Sequence, residues 1–416
     1  MPEETRRAAR LARMDEATLA QLLDPDALTL LDGIEYSPAA ELALAGRLRR
    51  DGVSPELARE LLAQAQLRQE AEAKFGPFAD RMLFTRDGLA QATRLSVAAH
   101  HARRLLAAEP ALIGDLGCGL GGDTMALGGL GGTVLAVDAD PVTAALAAYN
   151  LRSLDTVTVE QGTAEAQDLS RFDVLWLDPA RRTGDGRTSA ARRLTDPESF
   201  SPSLTWAFST AEAVDGVGVK LGPALDHELV PAGWEAQWVS ESGDVVEVAL
   251  FHGSVRRRPG RNALVLGRGS ALEVHESQVP ADDEDGIGEL GDYLFEPDGA
   301  IVRAGLVTAL CEPLGMRRVS ERIAYLTGDA LPTGTAANAV RAYEIVDVLP
   351  AGIKQLRRAL VQRGIGKVVI KKRGADIVPD QVRRQLKLPG GESATLVFTR
   401  LGEDHVVLLT QPVSLE

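Results

Sequence analysis

Cysteine, histidine and aromatic side chains are scarce in this chain. Its 416 residues include two cysteines, Cys118 and Cys311, six histidines and only 4% aromatic residues. Two cysteines cannot build a disulfide framework, and they offer no zinc-ligand spacing. The histidines are scattered. His100 and His101 are adjacent, but neighbours on a helix point in different directions, so no metal site is expected. Few aromatic rings leave few platforms for stacking splayed bases. No apolar run reaches the length that spans a bilayer. The N-terminal MPEETRRAARLARMDE lacks the apolar core of a secretory signal, so a cytoplasmic protein without a membrane partner is expected. Positive charge is also in deficit. The formal net charge of -14 argues against indiscriminate nucleic-acid binding, where a broad positive field supplies the affinity.

What is present is enough hydrophobic material for more than one core, 45% of the chain. The charge is unevenly spread. From Glu273 to Asp298 there are 10 acids and no Lys or Arg, whereas from Arg341 to Arg400 there are 13 Lys and Arg against 5 Asp and Glu. A local basic surface is therefore compatible with an acidic chain.

Residues 1–78 read as a helical N-terminal region, rich in Ala, Leu, Glu and Arg with apolar residues at three- and four-residue spacing. Ser37 before Pro38 and Ser54 before Pro55 look like N-caps, and Gly52 like a helix stop. Residues 79–255 alternate short apolar runs (ALIGDL, TVLAVD, DTVTVEQ, FDVLWLDP, VDGVGVK) with helical stretches. That pattern predicts an α/β fold with a parallel sheet covered by helices. WEAQWVSE and VVEVALFHG suggest a terminal antiparallel pair. Residues 256–289 read as connecting strands and an acidic linker, and residues 290–416 as a smaller mixed α/β domain.

The strongest chemical signal is Ile113-Gly-Asp-Leu-Gly-Cys-Gly-Leu-Gly-Gly-Asp123, which follows an apolar run and opens toward a helix. Its glycines permit a tight turn and let a ligand approach the backbone. Asp115 stands just before this turn. A dinucleotide fold usually puts its first acid after the second strand. An acid ending the first strand suits a cationic amino-acid ligand, whose amine it can bind and neutralise. In Thr133-Val-Leu-Ala-Val-Asp138-Ala-Asp140-Pro141, Asp138 ends the next apolar run, about 20 residues past the glycines, where a carboxylate can grip both ribose hydroxyls. The alternative for Asp138 and Asp140 is capping of the following helix, which is the preferred reading of Asp140.

The third signal, Phe172-Asp-Val-Leu-Trp-Leu-Asp178-Pro179-Ala180-Arg181-Arg182, leads into the polar loop TGDGRTS. Ligands bind beyond the carboxyl ends of such strands, which puts Asp178 where an acceptor would lie. Pro179 fixes the local backbone and leaves no competing N–H. Arg181, Arg182 and Arg187 can bind phosphates or pair with Asp178. The bland alternative is an Asp capping its own loop among surface arginines. Lys220 ends the fifth apolar run on the same sheet edge. It is a candidate acceptor-site residue or a solvated strand-end lysine.

The order DLGCGLGGD, AVDAD, LDPARR resembles class I S-adenosylmethionine-dependent methyltransferases over about residues 80 to 252. The resemblance implies a Rossmann-like sheet and S-adenosyl-L-methionine as cofactor. Its implied cofactor contacts are Asp115, Gly117, Cys118, Gly119, Gly121 and Asp123 in the first motif, then Asp138 and Ala139 at the ribose. Thr163 and Ala164, within Gly162-Thr163-Ala164-Glu165, border the adenine, and Asp178 reaches cofactor and acceptor. The segment from Phe84 to Thr93 resembles the one that leads into the first motif and closes over the cofactor. Gln91 and Thr93 serve there or else cap or pack a helix. The candidate catalytic set, from the residues and the resemblance together, is Asp178, Pro179, Arg181 and Lys220. Asp178-Pro179 resembles the D/N-P-P-Y/F/W loop of base-amino methyltransferases, with Ala180 in place of the second proline and Arg181 in place of the stacking aromatic. It also resembles the DPPR-type loop of RNA uridine C5-methyltransferases. Those enzymes need a later nucleophilic cysteine, a role that neither Cys118 nor Cys311 fits.

The whole layout resembles bacterial methyltransferase-like proteins with a THUMP-like C-terminal domain. FEPDGAIVRAGLV, RIAYLTGD, VLPAGIKQLRRAL, VVIKKRG and ATLVFTR carry that likeness over about residues 290 to 410. THUMP domains bind RNA, so the resemblance implies a tRNA or rRNA acceptor, with Lys371, Lys372, Arg373, Arg383 and Arg384 tracking phosphates. The bland alternative for KKRG is a solvated strand end. Other functional classes stay open: a methyltransferase of a small molecule or protein, an S-adenosylmethionine-binding module without turnover, and an NAD-dependent oxidoreductase. Asp115 and the Asp-Pro loop weigh against the last.

Overall fold

Ser54 begins the longest helix as its sequence signals: its Oγ accepts the Leu57 N–H at 3.2 Å and Pro55 fills the first turn. The computed structural model in which this is seen describes residues 14–181, 196–267, 269–280, 286–321, 323–402 and 404–415. The N-terminal helices are α1 (Glu16–Leu22), α2 (Pro25–Asp32), α3 (Glu41–Arg50) and α4 (Pro55–Phe75). Gly52 ends α3 with φ of 85°, and Val53 donates back to the Leu48 carbonyl at 3.0 Å. Ser37 does not cap α3. The chain first closes a turn through the Ser37 carbonyl to Ala40 N–H, so the helix opens at Glu41, whose charge suits the N-terminal end of the dipole.

These helices do not form a core of their own. Leu61, Ala71 and Phe75 of α4 pack with Leu19, Leu22, Leu31 and Leu48, but also with Leu120, Val142 and Leu146 from the next part of the chain. Polar bonds reinforce the junction. Gln64 exchanges two hydrogen bonds with the backbone of Phe84, at 2.7 and 2.9 Å. Asn150 does the same with Leu83, at 2.8 and 3.0 Å, and also donates to the Leu120 carbonyl at 3.1 Å.

The chain divides into two units, residues 1–221 with 226–234 and 250–257, and residues 222–225, 235–249 and 258–416. After α5 (Arg86–Gln91) and α6 (Leu95–Leu106), strands β1 (Ile113–Leu116), β2 (Val134–Asp138), β3 (Val157–Gln161) and β4 (Val174–Leu177) alternate with α7 (Gly122–Gly129) and α8 (Pro141–Leu151). A small hairpin, β5 (Ala180–Arg181) with β6 (Phe200–Ser201), and helix α9 (Leu204–Ser209) precede β7 (Gly216–Leu221). β3, β2, β1, β4 and β7 lie side by side and parallel, as the buried apolar runs predict. The carboxyl ends of β1, β2, β4 and β7 thus converge on one edge, carrying Asp115, Asp138, Asp178 and Lys220.

The sheet order continues beyond β7 through β9 (Asp244–Gly253), β8 (Glu235–Glu241), β10 (Gly260–Gly267) and β11 (Ser270–His275). β8 and β9 form the expected hairpin around Ser242 and Gly243, both at positive φ. The pair is not terminal, however. β10 runs parallel along β8, and β11 antiparallel along β10. Residues 256–289 were expected as connecting strands, but the strands in that span are sheet members. Their unbroken apolar run Ala263 to Leu266 is buried on both faces.

The second sheet has the order β13 (Arg317–Arg318), β14 (Leu326–Gly328), β12 (Tyr293–Pro297), β15 (Val340–Pro350), β18 (Asp404–Val413), β17 (Glu392–Leu401), β16 (Ile365–Lys372). Short helices α10 (Gly299–Ala304) and α11 (Cys311–Leu314) follow β12. Helices α12 (Ile353–Gln362) and α13 (Pro379–Leu386) cover one sheet face, burying Leu356, Leu360, Val382 and Leu386 against Leu349, Leu396, Phe398, Val407 and Leu409. No helix among the described residues is long and apolar enough to cross a membrane.

Replacing Asn150 by Ala leaves three buried backbone groups unmatched and should cost about 3 kcal/mol, at roughly 1 kcal/mol per lost bond. The check is a lower urea midpoint for the tryptophan fluorescence change. An unchanged midpoint would mean that the junction is not held this way.

Candidate functional site

The glycine turn is shaped by its backbone and by what stands behind it. Gly117 and Cys118 both donate to the Val137 carbonyl, at 2.8 and 3.0 Å, which ties the end of β1 to β2. Gly117 has φ of 101°, and a Cβ there would stand 3.1 Å from the Asp178 carbonyl oxygen. Gly121 has φ of 86°, and a Cβ there would come within 2.8 Å of Leu151. Positive φ strains any side chain at both positions, and at Gly117 a Cβ would also crowd the Asp178 backbone. The Cys118 thiol is buried with Ala136, Ala147 and Leu151, and burial pushes it well above the usual thiol range, so it is inert.

Asp115 is 1% exposed. Its Oδ2 accepts the Thr124 hydroxyl, while its Oδ1 is buried without a hydrogen-bond partner. Burial first, then the Asp123 charge, push its carboxyl up to about 7, against the Thr124 bond and the Lys220 charge. At the next strand end, Asp138 is oriented by two backbone donors, Gly119 N–H at 3.0 Å and Asp140 N–H at 2.9 Å. Burial still raises its carboxyl above the ordinary value. Asp140 caps α8, as expected, by accepting the Thr143 N–H at 2.9 Å. Ala139 and Thr163 are exposed beside this strand end, Ala164 is buried, and Gly162 N–H donates to the Asp138 carbonyl at 2.9 Å.

The Asp178 side of the edge holds a buried polar cluster. Lys220 is not a solvated lysine: it is 8% exposed, and its Nζ lies 2.7 Å from Asp178 Oδ2, 2.6 Å from Thr93 Oγ1 and 3.5 Å from Asp123 Oδ2. Thr93 in turn donates to Asp123 Oδ2 at 2.7 Å, and His101 Nδ1 lies 2.9 Å from Asp123 Oδ1. Burial would raise the Asp123 carboxyl, but Lys220, His101 and Thr93 outweigh it and hold it well below the usual carboxylate range. Asp123, expected against the cofactor, thus has both oxygens engaged inside this cluster. Asp178 is 37% exposed in its side chain and is the cluster's outward member.

Of the remaining expected residues, Pro179 is buried, and Arg181 contributes backbone to the short pairing with Phe200. Arg182 and Arg187 lie outside the described residues. Gln91 ends α5 with its side chain exposed, whereas Thr93 joins the cluster. His101 was passed over in the sequence. The available signal was helical spacing, since Val97, Ala98, His101, Ala102 and Leu105 share the buried face of α6. In the second unit, each member of the KKR run has a partner, and Lys371 and Arg373 are half-buried while Lys372 is exposed. Lys371 pairs with Glu296 at 2.6 Å, Lys372 donates to the Ile377 carbonyl at 2.7 Å, and Arg373 to the Ala324 carbonyl at 3.1 Å. Arg383 pairs with Asp380 at 2.5 Å, and Arg384 is exposed.

The raised carboxyl of Asp115 sets a pH dependence. Its protonated form stabilises the fold fully below about pH 4, and that contribution is lost as pH rises through about 7. Asp115→Asn removes the loss. Without ligand, its thermal midpoint relative to wild type should rise between pH 4 and pH 8 by the equivalent of a few kcal/mol. Parallel melting curves across that range would contradict the buried-acid account.

The THUMP domain-like family matches residues 340–412. Two relatives, from Mycobacterium tuberculosis strains CDC 1551 / Oshkosh and ATCC 25618 / H37Rv, are each named an uncharacterised S-adenosylmethionine-dependent methyltransferase. Each is 32% identical over 355 residues, covering 82% of this chain and 92% of the relative. A crystal structure from Porphyromonas gingivalis W83, described as a methyltransferase, shares the fold. It aligns over 92% of this chain and 100% of its own, with a TM-score of 0.70 at 18% identity. By its identity to the mycobacterial relatives over most of both lengths, this chain belongs to the S-adenosylmethionine-dependent methyltransferases.

Proposed function

We propose that this methyltransferase acts on RNA, at a base of tRNA or rRNA, with the acceptor presented to Asp178. The observation that carries the reading is the outer face of α12 and α13. Their apolar residues are buried, and Lys354, Arg357, Arg358, Arg384 and Lys387 stand exposed on or just beyond them. This face, rather than the KKR run, has the cations to follow a phosphate backbone. It lies in the THUMP domain-like region, and THUMP domains bind RNA.

The site residues fit S-adenosyl-L-methionine. The buried Asp115 Oδ1 lacks a partner just before the glycine turn, and a cationic amine would match it. In this reading Asp115, Gly117, Cys118, Gly119 and Gly121 hold the methionine and adenosine end, Asp138 and Ala139 the ribose, and Thr163 and Ala164 the adenine. The cofactor supplies an electrophilic methyl group. Asp178 orients the acceptor, Pro179 stiffens its loop and Lys220 holds its carboxylate. Alignment of the two reactants accounts for much of the rate.

A second reading, a small-molecule or protein acceptor, draws on the inward ties of Lys371 and Arg373, which remove two of the expected phosphate contacts.

The test is methyl transfer from tritiated S-adenosylmethionine to total RNA from a strain lacking the gene. Label should enter RNA, and Asp178→Ala should reduce it at least about 100-fold while S-adenosylhomocysteine affinity stays within about threefold. In calorimetry, Asp138→Ala should weaken S-adenosylhomocysteine about tenfold or more. Replacing Arg357, Arg358 and Arg384 by Ala should weaken RNA retention and flatten its salt dependence by up to about 0.9 log unit per lost contact. Label in the protein or small-molecule fraction instead would establish the second reading.

A further inference from the structure

We propose that Thr93, Asp123 and His101 are positioning residues of the acceptor site: together they anchor the Lys220 ammonium and, through it, fix the Asp178 carboxylate. The proposal rests on Asp178 facing the acceptor.

A pair made only by Lys220 and Asp178 would position poorly. Lysine has a long, flexible stem, and ordering it costs about 2 kcal/mol of rotamer entropy. A carboxylate more than a third exposed belongs with the ion pairs that contribute little. Burying the ammonium also costs several kcal/mol unless its hydrogens are matched. The cluster meets all three demands. Three oxygens lie close to Nζ, on Thr93 at 2.6 Å, Asp178 at 2.7 Å and Asp123 at 3.5 Å, so the buried ammonium is matched by polar partners. The Thr93 hydroxyl is used twice, accepting from Lys220 and donating to Asp123, which fixes the direction of both bonds. His101 takes the other Asp123 oxygen and so sets the carboxylate plane. The His101 ring also lies 4.5 Å from the ring of Trp176, which stands on β4 just before Asp178.

Thr93 is itself held in place from the N-terminal helices. Lys74, near the end of α4, donates to the carbonyls of Leu89, Ala90 and Ala92 at 2.8, 2.9 and 2.8 Å. These three bonds clamp the turn that ends α5 and presents Thr93. The line of support runs from α4 through Thr93 and Lys220 to Asp178, outside the glycine turn throughout.

Hydrogen exchange of the full-length protein, without cofactor or acceptor, tests this whether or not RNA is the substrate. Thr93→Val keeps the shape of the side chain and removes both bonds. It should speed exchange of the peptide spanning residues 178–181 at least about tenfold and leave the peptides of β1 and β3 within about twofold. Thr93→Ser should restore the wild-type rate. Asp123→Asn should reproduce the Thr93→Val pattern, and it serves as the test if Thr93→Val does not fold. Unchanged exchange at 178–181, an equal rise in β1 and β3, or failure of the Ser variant to restore the rate would each overturn the proposal.

Discussion

An ammonium group removed from water has to be matched on every side, and Lys220 imposes that requirement on four separate segments. β7 must end beside β4, the α5–α6 junction must bring Thr93 inward, α6 must turn His101 to the sheet, and α7 must carry Asp123 in its first turn. The glycine turn and the loop after β4 consequently share one charge system. Lys220 faces Asp178 on one side and Asp123 on the other, while burial and the Asp123 charge together raise the carboxyl of Asp115.

The parallel sheet makes this sharing possible. β1, β2, β4 and β7 run in one direction, so strand-end residues distant in the chain arrive on one edge. Close backbone packing then sets the spacing, since Gly117 lets the turn lie directly against the Asp178 carbonyl.

What could be read from the sequence was what is local. The glycine turn, Asp138 and Asp178 announce themselves by strand ends and short spacings, and the S-adenosylmethionine resemblance rests on them. His101 does not, and Thr93 showed itself without its partner, because Asp123 is 22 and 30 residues away from them and only tertiary packing joins them. Lys220 was ambiguous for the same reason: an apolar run that ends in lysine reads alike whether the ammonium meets water or a carboxylate. The ties of the KKR run could not be read for a similar reason: Glu296, the partner of Lys371, precedes it by 75 residues, on β12. Strands β10 and β11 had the right pattern, but pairing partners across a sheet leave no mark at a fixed sequence distance.

The shared core of the N-terminal helices has a consequence for biosynthesis. Phe75, Leu61 and their neighbours bury themselves partly against Leu120, Val142 and Leu146. A nascent chain exposes the apolar side of α4 well before α8 has left the ribosome to cover it. For that interval the growing polypeptide offers a hydrophobic surface to chaperones and to neighbouring nascent chains.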